Sequence, residues 1–157
     1  MNVNVKLIHP DAKMPTKAHS TDAGFDLTAV SINETDLYIE YDTGIAIQIP
    51  DGHAGFLFPR SSVSNQGLNL ANSIGLIDQN FRGTIKARFN RVIGLHNPSN
   101  EWEDEWDKWI HAMANPYKVG DRIAQLVIQK LPEITLIEAD ELTETDRGDN
   151  GYGSTGC

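Results

Sequence analysis

Cysteine is almost absent: the only one in 157 residues is the last, Cys157, so no disulfide can form within the chain. That usage fits a reducing compartment. Histidine offers no metal staple either, because its five copies at positions 9, 19, 53, 96 and 111 are scattered and make no zinc-site spacing. Basic residues are scarce beside acidic ones, 13 against 22, for a formal net charge of −9. Such a balance speaks against a protein that tracks a nucleic-acid backbone, where many cations must line up against phosphates. It leaves room for one small anion, which needs only a few converging donors. No apolar run approaches a membrane span, and Met1-Asn2-Val3-Asn4-Val5-Lys6 lacks the apolar core of a signal peptide. The expectation is a soluble protein, cytoplasmic or otherwise intracellular, with neither nucleic acid nor membrane as partner. At this length a single domain can bury its own core.

What the chain does have is alternation. Val3, Val5 and Leu7 alternate with polar residues, as do Leu37, Ile39 and Tyr41, and Ile45, Ile47 and Ile49 do so strictly before Pro50. Further short strands are predicted at 55–58, 84–92, 123–129 and 134–137, mostly separated by Gly, Asn, Asp or Pro. Many short strands without interleaved helices predict an all-β fold, a sandwich or jelly-roll barrel.

One stretch breaks the pattern. Between Asn97 and Asn115, residues Trp102, Trp106, Trp109, Ile110 and Met113 fall on one helical face, Asn100 can cap it, Glu103 supports the cap, and Pro116 stops it. This predicts one short helix over 97–115, inserted into the β domain and carrying all three tryptophans. The stripe either packs the helix on the barrel or presents Trp102, Trp106 and Trp109 to a protein partner.

Five polar or glycine-rich blocks interrupt the strands: Ala23-Gly24-Phe25-Asp26-Leu27, Pro59-Arg60-Ser61-Ser62, Gly75 to Gly83 (GLIDQNFRG), Gly120-Asp121-Arg122-Ile123-Ala124-Gln125-Leu126, and the tail from Arg147 to Cys157. Asp26 beside Gly24 reads most simply as a turn residue. Pro59 ends an apolar strand and presents the planar donor fork of Arg60 with the hydroxyls of Ser61 and Ser62. Asn72, Gly75, Leu76, Ile77 and Asp78, running into Phe81, read as a hairpin whose backbone can offer N–H and C=O groups to a ligand edge. Asp121 and Arg122 read as an ion pair or a subunit contact. In the tail, Arg147, Tyr152, Gly153, Ser154 and Thr155 combine a cation, a ring, a flexible backbone and two hydroxyls, the inventory of a flap over a polyphosphate or of a plain flexible terminus.

In this order and spacing the blocks resemble the five motifs of the trimeric dUTPase family, and the likeness covers the chain except the Trp-rich stretch. It implies a distorted jelly-roll barrel over 1–138 and a C-terminal arm, 139–157, that crosses onto a neighbouring subunit. The arm's 19 residues reach roughly 60 Å when extended. The implied activity is hydrolysis of dUTP to dUMP and pyrophosphate, which limits uracil incorporation into DNA and supplies dUMP.

Residue by residue, the resemblance makes Asp78 the base that activates the attacking water. It gives Arg60, Ser61, Ser62 and Gln125 to the phosphate chain, with Ser61 stabilising charge on the leaving group. Backbone at Gly75, Leu76 and Ile77, with Asn72, would read uracil, and Lys86 would touch substrate through its own backbone. Arg147 would meet the γ-phosphate, Tyr152 would stack on the base, and Gly153, Ser154 and Thr155 would donate to the terminal phosphates. Mg²⁺ would be held by the triphosphate and water, with no direct protein ligand and with Asp26 reached only through water. The family pattern has Asp-Tyr where this chain has Asn80-Phe81, so the ring under the deoxyribose is kept and its hydroxyl lost. Two alternatives stay open at this point: an enzyme like dCTP deaminase, and a nucleotide-dependent regulatory binding protein that uses the Trp face.

Overall fold

The structure is a computed structural model that describes residues 1–92 and 115–151. Its strands are β1 (Asn4–Leu7), β2 (Phe25–Thr28), β3 (Ser31–Glu34), β4 (Ile39–Asp42), β5 (Ile45–Gln48), β6 (His53–Pro59), β7 (Leu68–Leu70), β8 (Gly75–Ile77), β9 (Lys86–Arg91) and β10 (Arg122–Lys130), with a short 3-10 helix at Ser61–Gln66. They form two four-stranded sheets, β2-β10-β6-β8 and β3-β4-β9-β7, and the separate pair β1-β5. Every pairing is antiparallel, and the fold is the expected all-β jelly-roll type.

Alternation builds the core. Ile39 lies opposite Phe89 and Tyr41 opposite Ala87, and all four are buried, so this face of the β4-β9 pair closes on the other sheet. Leu27, Ile45, Ile49, Leu68, Ile123 and Leu126 complete the interior, each burial being worth roughly 1.5–3 kcal/mol. Tyr41 packs edge-on against both Phe89 and Tyr117, and burial pushes its phenol up to about 12, so it stays neutral.

The pairing of β10 with β2 and β6 matters most for function. Gln125 lies opposite Asp26 on one side and Phe58 on the other, while Ala124 faces Pro59. Register therefore brings three of the sequence blocks together, although they lie far apart along the chain.

Several expectations need correction. Asp26 is not in a turn: it sits in β2 and is buried, because it has partners on two neighbouring elements. Leu37 is outside β4 and 82% exposed, since the Thr35 hydroxyl accepts the N–H groups of Leu37 and Tyr38 and holds a turn there. The stretch 75–86 is no hairpin, because β8 pairs with β6 in one sheet and β9 with β4 and β7 in the other. Residues 134–137 form no strand: Ile134, Leu136 and Ile137 are exposed and pair with none of the described strands. The helix expected over 97–115, with Trp102, Trp106 and Trp109, falls almost wholly outside the described residues. Among the described residues no helix is long and apolar enough to cross a membrane.

Candidate active site

The third sequence block builds a cavity of about 590 Å³. Its lining includes Asn72, Gly75, Leu76, Ile77, Asp78, Phe81 and Lys86, together with Glu40, Thr84 and Arg88. The shape follows from the switch between sheets. β8 is an edge strand, paired with β6 through Gly55 to Leu57, so its other edge carries N–H and C=O groups that the ladder leaves unused. The chain then turns at Asp78, where the Phe81 N–H donates to the Asp78 carbonyl (3.1 Å), and enters β9 in the opposite sheet. A slot remains between edge and strand.

Local chemistry fixes that turn. The Arg82 guanidinium donates through Nη1 to the carbonyls of Gln79 (2.6 Å) and Phe81 (2.8 Å), and Gln79 Nε2 donates to Asp51 Oδ1 (2.7 Å). The Phe81 ring lies over Gly83, where an added Cβ would meet the ring tip at 2.7 Å and displace it. Ser73 adopts a left-handed φ of 59° just before β8, a conformation a non-glycine residue keeps only when its surroundings impose it.

In the wall of the same cavity, Glu40 has an arrangement the sequence did not suggest. Its buried carboxylate accepts from Arg88 Nε at 2.7 Å and from Lys86 Nζ at 3.0 Å, and Arg88 also lies over the Tyr38 ring at 4.5 Å. The Arg88 bond first and the Lys86 bond second hold the Glu40 carboxyl below its ordinary value, against the opposing effect of burial. The signal was present as cross-strand spacing, but only the β4-β9 register makes Glu40 face Arg88.

A second cluster lies where β2, β6 and β10 meet. Asp26 Oδ1 accepts from Arg60 Nε (3.0 Å) and Gln125 Nε2 (3.2 Å), and Oδ2 accepts from Arg122 Nη1 (2.8 Å). One buried carboxylate thus aims an arginine fork and an amide from two other motifs. The pairing expected for Arg122 is corrected here: its partner is Asp26, while Asp121 Oδ2 accepts the Lys118 N–H at 2.7 Å. Ser61 opens the 3-10 helix beside Arg60, and the Ser62 hydroxyl lies 3.4 Å from that of Tyr117.

Arg147 stands with neither cluster. It is exposed, within a local turn where its Nε donates to the Asn150 carbonyl (3.3 Å). Tyr152, Gly153, Ser154 and Thr155 lie outside the described residues. The structure thus gathers Asn72, Gly75, Leu76, Ile77, Asp78, Phe81 and Lys86 in one place and Arg60 and Gln125, with Asp26, in another.

The cavity lies beside a free sheet edge, and Arg60, Arg122 and Gln125 converge on Asp26. The family model described as dUTPase matches residues 10–91 and 114–156. The chain belongs to the dUTPase family. Four of the five motif blocks, and all of the tail block but Cys157, fall within the matched ranges, which leave out 92–113 with the three tryptophans. The deoxyuridine 5'-triphosphate nucleotidohydrolase of Thermobifida fusca is 37% identical over 161 residues, covering 99% of this chain and 79% of the relative. The one from Corynebacterium glutamicum is 39% identical and covers 97% of this chain and 94% of its own. Among solved structures, the dUTPase of Staphylococcus bacteriophage 80alpha, a mutant with dUpNHpp, superposes with a TM-score of 0.77 at 25% identity, covering 99% of both chains.

Mg²⁺ is the cofactor of dUTPases. Among the described residues no three His, Cys, Asp or Glu side chains gather as a metal-ligand group. Asp26, the acidic side chain at the centre of the phosphate-type cluster, has both oxygens engaged by cationic or amide donors. This donor set fits an ion carried by triphosphate oxygens and water, with Asp26 touching at most its water.

Proposed function

We propose that the 590 Å³ cavity is the deoxyuridine pocket of a dUTP-hydrolysing enzyme and that Asp78 is its general base. As a dUTPase the chain converts dUTP and water to dUMP and pyrophosphate. The observation that carries the site assignment is the cavity itself: the edge strand β8, Asp78 and Phe81 all line it. Uracil offers an acceptor, a donor and an acceptor along one edge, which fixed backbone groups at Gly75, Leu76 and Ile77 match. Cytosine would leave buried groups unpaired, and a polar site rejects a ligand most strongly that way. Phe81 supplies a surface for the deoxyribose and no room for a 2′-hydroxyl.

Asp78 takes a proton from the attacking water as its oxygen bonds to the α-phosphorus, and the bond from that phosphorus to the bridging oxygen breaks in line, releasing pyrophosphate. Arg60, Ser61, Ser62 and Gln125 stabilise the charge that builds on the phosphates, with Asp26 aiming Arg60 and Gln125. Mg²⁺, when bound with substrate, neutralises triphosphate charge and holds its conformation.

Membership of the dUTPase family, in which trimers are typical, supports a homotrimer in which one copy's pocket meets another copy's Arg60 cluster. The arm, 139–157, would then bring Arg147, Tyr152, Gly153, Ser154 and Thr155 over the bound nucleotide. Trp102, Trp106 and Trp109 fall in the stretch that the family match omits, which fits a role outside catalysis, such as contact with a protein partner.

The test is a nucleotide panel of dUTP, dCTP, dTTP and UTP with Mg²⁺, read as pyrophosphate and ammonia. Pyrophosphate from dUTP alone is expected. Comparable turnover of UTP or dCTP, or ammonia from dCTP, would overturn the pocket assignment.

A further inference from the structure

Asp78 is exposed at the cavity, on the turn that leads from β8 toward β9, one residue beyond the last ladder partner, Ile77. Among the described residues its carboxylate accepts no hydrogen bond, so the backbone beneath it sets its place. Within 78–83 the turn braces itself. The Phe81 N–H donates to the Asp78 carbonyl at 3.1 Å, and Arg82 Nη1 spans the carbonyls of Gln79 and Phe81 at 2.6 and 2.8 Å. These bonds fix the shape of the turn and leave open where it stands against the sheets. Among the described residues only the Gln79 side chain ties 78–83 by hydrogen bonds to another part of the fold: Nε2 donates to Asp51 Oδ1 at 2.7 Å, and Oε1 accepts the Gly52 N–H at 3.4 Å. The receiving turn, which joins β5 to β6, is itself anchored. Gly52 has a left-handed φ of 69°, its carbonyl accepts the Leu131 N–H at 2.8 Å, and the Pro50 carbonyl accepts the His53 N–H at 3.1 Å. The clasp needs an amide, because one group must donate to a carboxylate while also accepting from an N–H.

We propose that Gln79 is a positioning residue whose side chain clasps the Asp78 turn to the β5-β6 turn and so holds the base in place for the attacking water. The proposal rests on Asp78 acting as the base. Gln79 is not among the residues lining the cavity, so it is assigned no contact with substrate. Its effect passes through one peptide bond to Asp78. Reading of uracil by Gly75, Leu76 and Ile77 is separate, because the β6 ladder holds those residues. Loss of the clasp therefore weakens proton transfer, which depends steeply on placement, and spares binding.

The experiment compares wild type, Q79A, D51A, Q79A/D51A, Q79E, Q79E/D51N and D78A. Each is measured for kcat and KM with dUTP, for dUpNHpp affinity and for melting temperature. Q79A is expected to lose about tenfold in kcat, with KM and dUpNHpp affinity changed by less than about threefold. D51A should lower kcat in the same way, and Q79A/D51A should be no worse than the poorer single variant, because both remove one clasp. Q79E sets two carboxylates against each other and should lose at least as much as Q79A. Adding D51N then restores a donor and an acceptor with their positions exchanged, at the wild-type net charge, and should bring kcat back to within about threefold of wild type. Unchanged kcat in Q79A, losses that multiply in Q79A/D51A, a rise in KM without a fall in kcat, or no recovery in Q79E/D51N overturns the proposal. Should Q79A fail to fold, D51A opens the clasp from its exposed end, and the pair Q79E and Q79E/D51N decides by the same outcomes. Turnover surviving in D78A would instead sink the assignment of the base, and D78A inactive with Q79A fully active would sink only the role of Gln79.

Discussion

The slot between β8 and β9 and the cluster around Asp26 are both made of expected site residues, yet they are built in opposite ways. In the slot the lining residues come mostly from one stretch, 71–88, and enclose a volume. Around Asp26 three distant elements converge through strand register, and a buried carboxylate orients Arg60, Arg122 and Gln125 without enclosing any ligand. In the proposed function the first reads the base. The second is a set of aimed donors that needs something brought to it. A site of this kind divides recognition of the base from the grip on the phosphates, and the two halves should fail differently when altered.

Asp78→Ala tests the slot most severely. It should lower kcat by about a thousandfold while dUpNHpp still binds within a few-fold of wild type, because only the proton acceptor is lost. Removing 147–157 comes next, with a drop of about a hundredfold in kcat/KM and no change in melting temperature, since residues 147–151 are exposed. Arg60→Lys keeps the charge and loses the fork that meets Asp26, so kcat/KM for dUTP should fall about tenfold without altering the preference for dUTP over dCTP. A change in base preference there would show that the halves are not separate. Phe81→Tyr restores the hydroxyl usual in the family, and its effect on the dUTP to UTP ratio should stay below about threefold.

The smallest effect concerns stability. Glu40 has a folded pKa below its ordinary 4.5, so its stabilisation is fully present above that value and is lost as the pH falls through the folded value. The melting-temperature gap between wild type and E40Q should therefore be widest near neutrality and close in acid. A gap independent of pH would contradict the ionised pairing with Arg88 and Lys86.

Strand patterning was legible where apolar residues alternate strictly, as in β5, and less so where a buried polar residue depends on distant partners. Ile45 and Ile47 read correctly as core, but Glu40 between Ile39 and Tyr41 read as an ordinary outward residue. Its burial depends on Lys86 and Arg88, more than forty positions away, which periodicity cannot see. The same limit explains Asp26: beside glycine it looked like a turn residue, and only pairing of β2 with β10 made it the centre of a cluster. Asp78 and Phe81 line one cavity with the rest of their block because that block is contiguous and its geometry local. The stretch 134–137 alternates like a strand but pairs with no edge among the described residues, so composition named the propensity and could not name the partner.

The division of the site between copies can be tested by complementation. Chains carrying Asp78→Ala and chains carrying Arg60→Ala, each inactive alone, are unfolded together, refolded at equal concentration and assayed for pyrophosphate release from dUTP. Random assembly of sites that take the pocket from one copy and the arginine from another should restore about a quarter of wild-type activity. A mixture as inactive as its components, although mixed oligomers are present, would contradict the shared site and place both halves of it in a single chain.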